Sequence, residues 1–274
     1  MRYDFRFGRY WLSELGARSA EPPGVEIAQR DVTFVTIPGK DGDDCIDNGS
    51  YSNVDFKRKI AVLTKPDADV SEKAQRLINN FAYLQGYQEF EDTDHIGFVT
   101  EAALKNFNTI QRKLRTLNTA ELVFTRKPFW YLKSGLDELP LDMTKLLGSG
   151  VELFNPFPAE AKPVFRFDLT FPSTAQSTTY DCTVPFAVAA NYGGTYSEKT
   201  CTITGITITA TYHYLVIDCE KQQIKVLDAD GTVYKYFDKP VPAPVGEGKV
   251  VVRITNPWNL QISAMSIIPR WRRL

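Results

Sequence analysis

Two histidines, His95 and His213, are the only imidazoles in 274 residues. They are the chain's only side chains with an ordinary pKa near neutrality, so acid–base catalysis would most simply fall to them. His213 sits in Thr211-Tyr212-His213-Tyr214 beside an apolar row, where histidine serves structure rather than proton transfer. There is no Gly-x-Ser-x-Gly elbow, His-Glu-x-x-His pair, Walker loop or Gly-x-Gly-x-x-Gly fingerprint. A Ser-His-Asp triad is assembled in space, and nothing in the sequence points to one. With 33 Asp and Glu, carboxylate pairs of the glycosidase kind arise by chance and carry no weight. The expectation is a non-enzyme with no catalytic residue and no cofactor.

The stretch Asp41-Gly42-Asp43-Asp44-Cys45-Ile46-Asp47 invites a calcium reading. An EF-hand needs oxygen ligands at positions 1, 3 and 5, Gly at 6 and Glu at 12. Cys45, Ile46 and Ser52 stand at the fifth, sixth and twelfth places, so an exposed turn is preferred over another type of calcium loop. No metal ligand is assigned. Cys45, Cys182, Cys201 and Cys219 form no Cys-x-x-Cys pair and read as reduced, packed thiols, although a Cys182–Cys201 bridge is conceivable.

Aromatic side chains can stack on sugar rings, and Trp258, Tyr192 and Tyr196 are the candidates for a glycan or partner site. The competing reading places them in the core or at loop bases. Arg270, Trp271 and Arg272, followed by Arg273, are too few cations for a nucleic-acid footprint in a chain of net charge −1. Arginine suits bidentate pairing with acids of the same or a neighbouring subunit, so Arg270, Trp271 and Arg272 are candidate interface residues.

The composition (43% hydrophobic, 12% aromatic) predicts a globular, strand-rich chain of two domains to hold these residues. No apolar run reaches the length of a membrane helix, and Met1-Arg2-Tyr3-Asp4-Phe5-Arg6-Phe7-Gly8 lacks the apolar region of a signal peptide. The protein is expected to be made and kept in the cytoplasm unless it leaves inside a particle.

Period-two alternation predicts strands at Tyr3–Phe7, Val32–Thr36 and Phe56–Ala61, with a turn-rich loop from Pro38. Asp69-Val70-Ser71-Glu72 resembles a capping box. Ala74, Leu77, Ile78, Phe81 and Leu84 then follow at helical spacing as far as Gly86. Strand character returns over Ile96–Glu101, Phe107–Leu117 and Glu121–Thr125. The chain reads as irregular from Leu132 to Ser149, and Gly148-Ser149-Gly150 marks the boundary between domains 1–148 and 149–274. Beyond it there are only short strand candidates, with hairpin signals at Gly193-Gly194 and Asp230-Gly231, hence a β-sandwich.

In order along the chain come Pro38-Gly39-Lys40-Asp41-Gly42, the helix, then Lys127-Pro128-Phe129-Trp130-Tyr131. Asn155 with Ala161-Lys162-Pro163, Leu215-Val216-Ile217-Asp218 and Pro269-Arg270-Trp271-Arg272 follow. This series resembles the distal tail protein family of long-tailed bacteriophages. The chain departs from the family pattern in lacking its cysteine around Thr125-Arg126-Lys127, and Phe157 replaces a common glycine.

The resemblance implies a mainly β protein with a ring-forming N-terminal β-sheet domain carrying one helix, and a galectin-like, carbohydrate-module-like C-terminal sandwich. It implies a virion component, at the tail tip of a phage or prophage particle. The expected partners are five further copies in a hexameric ring, the tail tube protein, the tail-associated hub or fibre protein, and a receptor-binding protein or cell-wall glycan. DNA would be only transient cargo in the channel. The alternative function is a carbohydrate-binding module; an enzyme ranks third.

Overall fold

Period-two alternation, which lets a strand bury one face and wet the other, builds most of the molecule. The computed structural model describes residues 3–63, 70–108, 111–112, 117–170, 180–209, 212–228, 230–237, 244–255 and 262–274. It falls into two compact units, Met1–Trp130 with Leu274, and Tyr131–Arg273.

The first unit contains β1 (Phe5–Phe7), β2 (Tyr10–Trp11), β3 (Ala17–Ser19), β4 (Arg30–Thr36), β5 (Asp43–Tyr51), β6 (Val54–Leu63), α1 (Val70–Leu77), β7 (Gln88–Asp92), β8 (Phe98–Phe107), β9 (Gln111–Arg112) and β10 (Leu117–Arg126). Its main sheet runs β2-β1-β7-β8-β10-β6-β3, and every pairing along this path is antiparallel. Phe5 and Phe7 of β1, Phe56 of β6, Phe90 of β7 and Phe124 of β10 project from four strands into one aromatic core. Phe56 stacks on Phe124 at 5.2 Å between ring centroids, and Phe7 meets Phe124 edge-on at 5.2 Å.

The helical segment covers this core with Leu77 and Phe81, both fully buried. The predicted helix is present, but after Leu77 its last turn, Ile78–Ala82, is π-wound. Asp69, the predicted cap, lies outside the described residues.

After β11 (Trp130–Leu132), the second unit contains β12 (Leu139–Pro140), α2 (Met143–Leu146), β13 (Val151–Asn155), β14 (Val164–Leu169), β15 (Tyr180–Tyr192), β16 (Thr195–Ile208), β17 (Tyr212–Asp218), β18 (Gln223–Asp228), β19 (Val233–Phe237), β20 (Gly248–Ile254), β21 (Ile262–Ile268) and β22 (Arg272–Arg273). One sheet runs β12-β21-β14-β17-β18-β19 and the other β13-β20-β15-β16. Phe165, Phe167, Leu215 and Ile217 of the first sheet share a core with Phe186, Val188, Val250 and Val252 of the second. Phe186 lies 5.4 Å from Phe165 and 5.1 Å from Phe167. This is a β-sandwich. Gly193 and Gly194, with φ of 61° and 92°, make the two-residue turn between β15 and β16, where both residues must tolerate positive φ.

Three features differ from the sequence reading. The segment after Pro38 does not stay a loop: Asp43–Tyr51 is a strand paired with β4, because Thr33 to Thr36 offer a matching ladder. β15 spans 13 residues that gave no strand signal, since Pro185 and a run of alanines mask its apolar face. The compact units divide at Trp130/Tyr131, upstream of Gly148-Ser149-Gly150. The intervening segment is claimed by the second core: Leu141 and Leu146 are buried in it, and β12 pairs with β21. Asp142 caps α2 by accepting from the N–H groups of Thr144 and Lys145.

Candidate functional site

β4 and β5 form a separate two-stranded sheet, joined to no third strand among the described residues. A lone hairpin is marginal in water because it has no second layer to bury its side chains. Here apolar residues are exposed on both faces. Directly opposed residues share a face, so Phe34 lies with Cys45 on one side, and Val35 and Ile46 lie on the other. Phe34 is 64% and Ile46 51% exposed, and Ile27 and Val25 just before the arm are also exposed.

The acids of the arm are engaged locally. Asp44 pairs with Lys40 and Asp47 with Arg30; Asp43 accepts from Thr36 at 2.7 Å, and Asp31 accepts from Asn48 and Ser50. No group of three metal-ligating side chains is found among the described residues.

The base of the arm is fixed by buried charge. The alternation that buries Phe56, Ile60 and Val62 also buries Arg58, and that of β10 buries Arg126. Arg58 Nη1 donates to Glu26 Oε1 at 2.9 Å, and its guanidinium pairs with Asp92 at 3.5 Å. Arg126 Nη2 donates to the Glu26 carbonyl at 2.9 Å. The two guanidinium groups lie over Phe56 and Trp130, at 4.7 and 5.3 Å from the ring centroids.

Asp92 also takes His95 Nδ1 at 2.7 Å, and the imidazole stacks on Trp130 at 4.1 Å. Burial works to raise Asp92, but His95 and Arg58 outweigh it and hold the carboxyl below the usual range. His95 is joined to Asp92 through both its backbone N–H and its Nδ1. The network ties residue 26 to three strands, and the Ser52 N–H closes the arm's base on the Gln29 carbonyl at 2.9 Å.

The predicted interface residues cluster within the second unit. The Arg270 N–H donates to the Gly135 carbonyl at 2.7 Å and the Leu132 N–H to Trp271 at 2.9 Å. Arg270 Nη1 reaches Asp218 Oδ1 at 2.8 Å and Glu220 at 3.2 Å. Arg272 Nε donates to the Glu160 carbonyl at 2.6 Å, and Trp271 is buried. Burial works to raise Asp218, but Arg270 and the N–H groups of Lys221 and Glu220 outweigh it and keep the carboxyl low. Burial, with the charge of Glu220, pushes Tyr131 up to about 12. Arg270, Trp271 and Arg272 thus form an internal clasp, held to Leu132 and Gly135 by backbone hydrogen bonds and to Asp218 and Glu220 by charge.

The three glycan candidates part company. Trp258 lies outside the described residues, as does the side chain of His213. Tyr192 is half-buried, donates to the Val188 carbonyl at 3.1 Å and carries Lys199 over its ring at 4.1 Å. Tyr196, beside it on the same hairpin, is 54% exposed. Cys45 is exposed, Cys201 half-buried and Cys219 buried, all as free thiols; Cys182's side chain lies outside the described residues. Sequence reasoning missed Arg58, Asp92, Glu26 and Arg126. The one signal was an arginine standing in an apolar row.

No helix among the described residues is long and apolar enough to cross a membrane. No known sequence family matches the chain, and no curated protein does. Among solved structures it is similar to the SPP1 Dit (gp 19.1) protein, described as a paradigm of the hub adsorption apparatus in phages infecting Gram-positive bacteria. The TM-score is 0.64 and the identity 12%, over 97% of both chains. A second likeness, to the phage P2 baseplate in its activated, calcium-containing conformation, has a TM-score of 0.47 and 10% identity over 97% of both chains. The mainly β fold is therefore like that of the SPP1 Dit protein along nearly the whole chain.

Proposed function

We propose that the protein is a structural part of a phage tail or baseplate: a non-catalytic adaptor whose copies close into a ring at the distal end of the tail. The observation that carries this reading is the β4–β5 arm, an anchored hairpin with apolar side chains exposed on both faces. Such a hairpin gains stability when a second body covers it. A repeated arm-to-body contact is heterologous, and heterologous contacts close into rings when the rotation allows. The fold likeness to a hub protein supports the same reading.

The proposed ring has six copies, with the first unit, Met1–Trp130, forming its wall and the second, Tyr131–Arg273, facing outward. It joins the tail tube to the tail-associated hub or fibre and passes DNA as transient cargo. The experiment is solution mass by light scattering with electron images of the same sample. The expected result is ring-shaped particles of about 186 kDa, six times the 31.0-kDa chain. A monomer at every concentration, alone and with tail tube protein, overturns it.

A second reading, glycan recognition by the C-terminal domain, is favoured by exposed Tyr196 on the β15–β16 hairpin. Saturable binding of cell-wall polysaccharide by the full chain, lost in Tyr196→Ala and Trp258→Ala, would support it. Equal binding by the variants would remove it.

A further inference from the structure

The second unit has an open side. β12 ends one sheet and β13 ends the other, each paired on one side only among the described residues. Between these two edges lies a groove of about 450 Å³. Its apolar lining includes Leu139, Leu153, Phe154, Pro156 and Trp271. Phe154 is 64% and Leu139 43% exposed, so large apolar side chains face water at the groove.

The polar part of the lining has one sign. Asp137 and Glu138 contribute carboxylates, and no Lys, Arg or His is among the described lining residues. Glu138 is engaged by Ser266 and, at 3.7 Å, by Arg166. Asp137 is exposed and has no ion-pair partner among the described residues.

We propose that this groove is a docking site for an extended, basic segment of a partner protein in which apolar residues alternate with Lys or Arg. Three observations select that occupant. The free edge of β13 offers a row of unpaired backbone N–H and C=O groups, which an extended segment satisfies by strand addition, whereas β12 has two residues and Pro140 lacks an N–H. Alternation then sends every second side chain of the segment onto the apolar floor. The remaining side chains face the carboxylates, where complementary charge fixes partner and register. A helix would leave the strand edges unpaired, and an acidic segment would meet Asp137 and Glu138 with like charge.

The inference does not rest on the ring reading, because the groove belongs to the second unit alone and is tested whatever the mass of the protein. The test is fluorescence anisotropy with the full chain and a labelled decapeptide of alternating Lys and Leu. The matched Glu–Leu decapeptide and a decapeptide with the same lysines and leucines in two blocks are the controls. Phe154→Ser and Asp137→Lys alter exposed side chains, and unchanged melting curves confirm that both variants fold.

Saturable binding of the Lys–Leu peptide alone, weakened tenfold or more in each variant, is expected. Slowed amide exchange over 151–155 on binding is also expected. Absence of binding, equal binding of any control peptide, or wild-type binding by both variants overturns the proposal. So does a change in the protein's own mass on Phe154→Ser, which would assign the groove to a second copy.

Discussion

Phe34→Ser separates the stability of one copy from the strength of its association. Phe34 is 64% exposed in the single chain. Phenylalanine buries roughly 200 Å² when fully covered, so about 130 Å² of this side chain remains for a partner. At roughly 25 cal/mol per Å² that area is worth about 3 kcal/mol per contact. A loss of that size weakens association about 150-fold. The substitution changes a solvent-facing position, so the stability of the single chain moves by only about 0.5 kcal/mol. The assay is sedimentation velocity over a concentration series, with urea denaturation of the dilute protein as control. The expected result is an assembly midpoint about two decades higher, with an unchanged unfolding midpoint. An unchanged assembly midpoint would refute the assignment of the arm as the ring contact. A large fall in the unfolding midpoint would refute the claim that Phe34 is idle in the single chain.

Arg270→Ala removes one partner of the half-buried pair with Asp218 and should cost about 3 kcal/mol, read by urea denaturation, with Arg270→Lys recovering part of it. Phe124→Ala leaves a cavity among four aromatic neighbours, Phe5, Phe7, Phe56 and Phe90, and should cost about 4 kcal/mol in the same assay. Asp92 and Asp218 are held below their ordinary values, so their stabilisation is complete above the unfolded-state carboxylate pKa of about 4 and is lost as pH falls through the lower folded values. The melting temperature should therefore drop steadily below about pH 4, and Asp92→Asn plus Asp218→Asn should flatten that drop. Burial, then the charge of Asp218, pushes the Cys219 thiol up to about 12, whereas Cys45 is exposed. A thiol reagent at pH 8 should label Cys45 within the mixing time and Cys219 only after denaturant is added.

Much of the fold was legible because strand alternation and turn chemistry are local. Phe5 and Phe7, the row of β6, the helical spacing from Ala74 to Phe81 and the Gly193-Gly194 turn each lie within a few residues of sequence. They act through their own backbone geometry, so a window of ten residues contains the cause. The resemblance in motif order pointed to the same fold that the likeness to the SPP1 Dit protein shows.

Allegiance and exposure were decided only in three dimensions. Leu141 and Leu146 follow Trp130 closely in sequence, yet their burial energy comes from strands more than a hundred residues later, and that contact sets where the units divide. Arg58 sits in an apolar row because Glu26 and Asp92, brought from two other segments, compensate its charge. Arg270 and Trp271 read in the sequence as candidates for pairing with acids of the same or a neighbouring subunit, and only the fold supplies Asp218 and Gly135 as their partners. Phe34 and Phe5 read alike in the sequence, as aromatic residues in alternating strands. Phe5 lies beneath a helical segment, and Phe34 lies on an arm that no described segment covers. A sequence fixes which side chains are apolar. Whether a second layer covers them depends on contacts between distant segments.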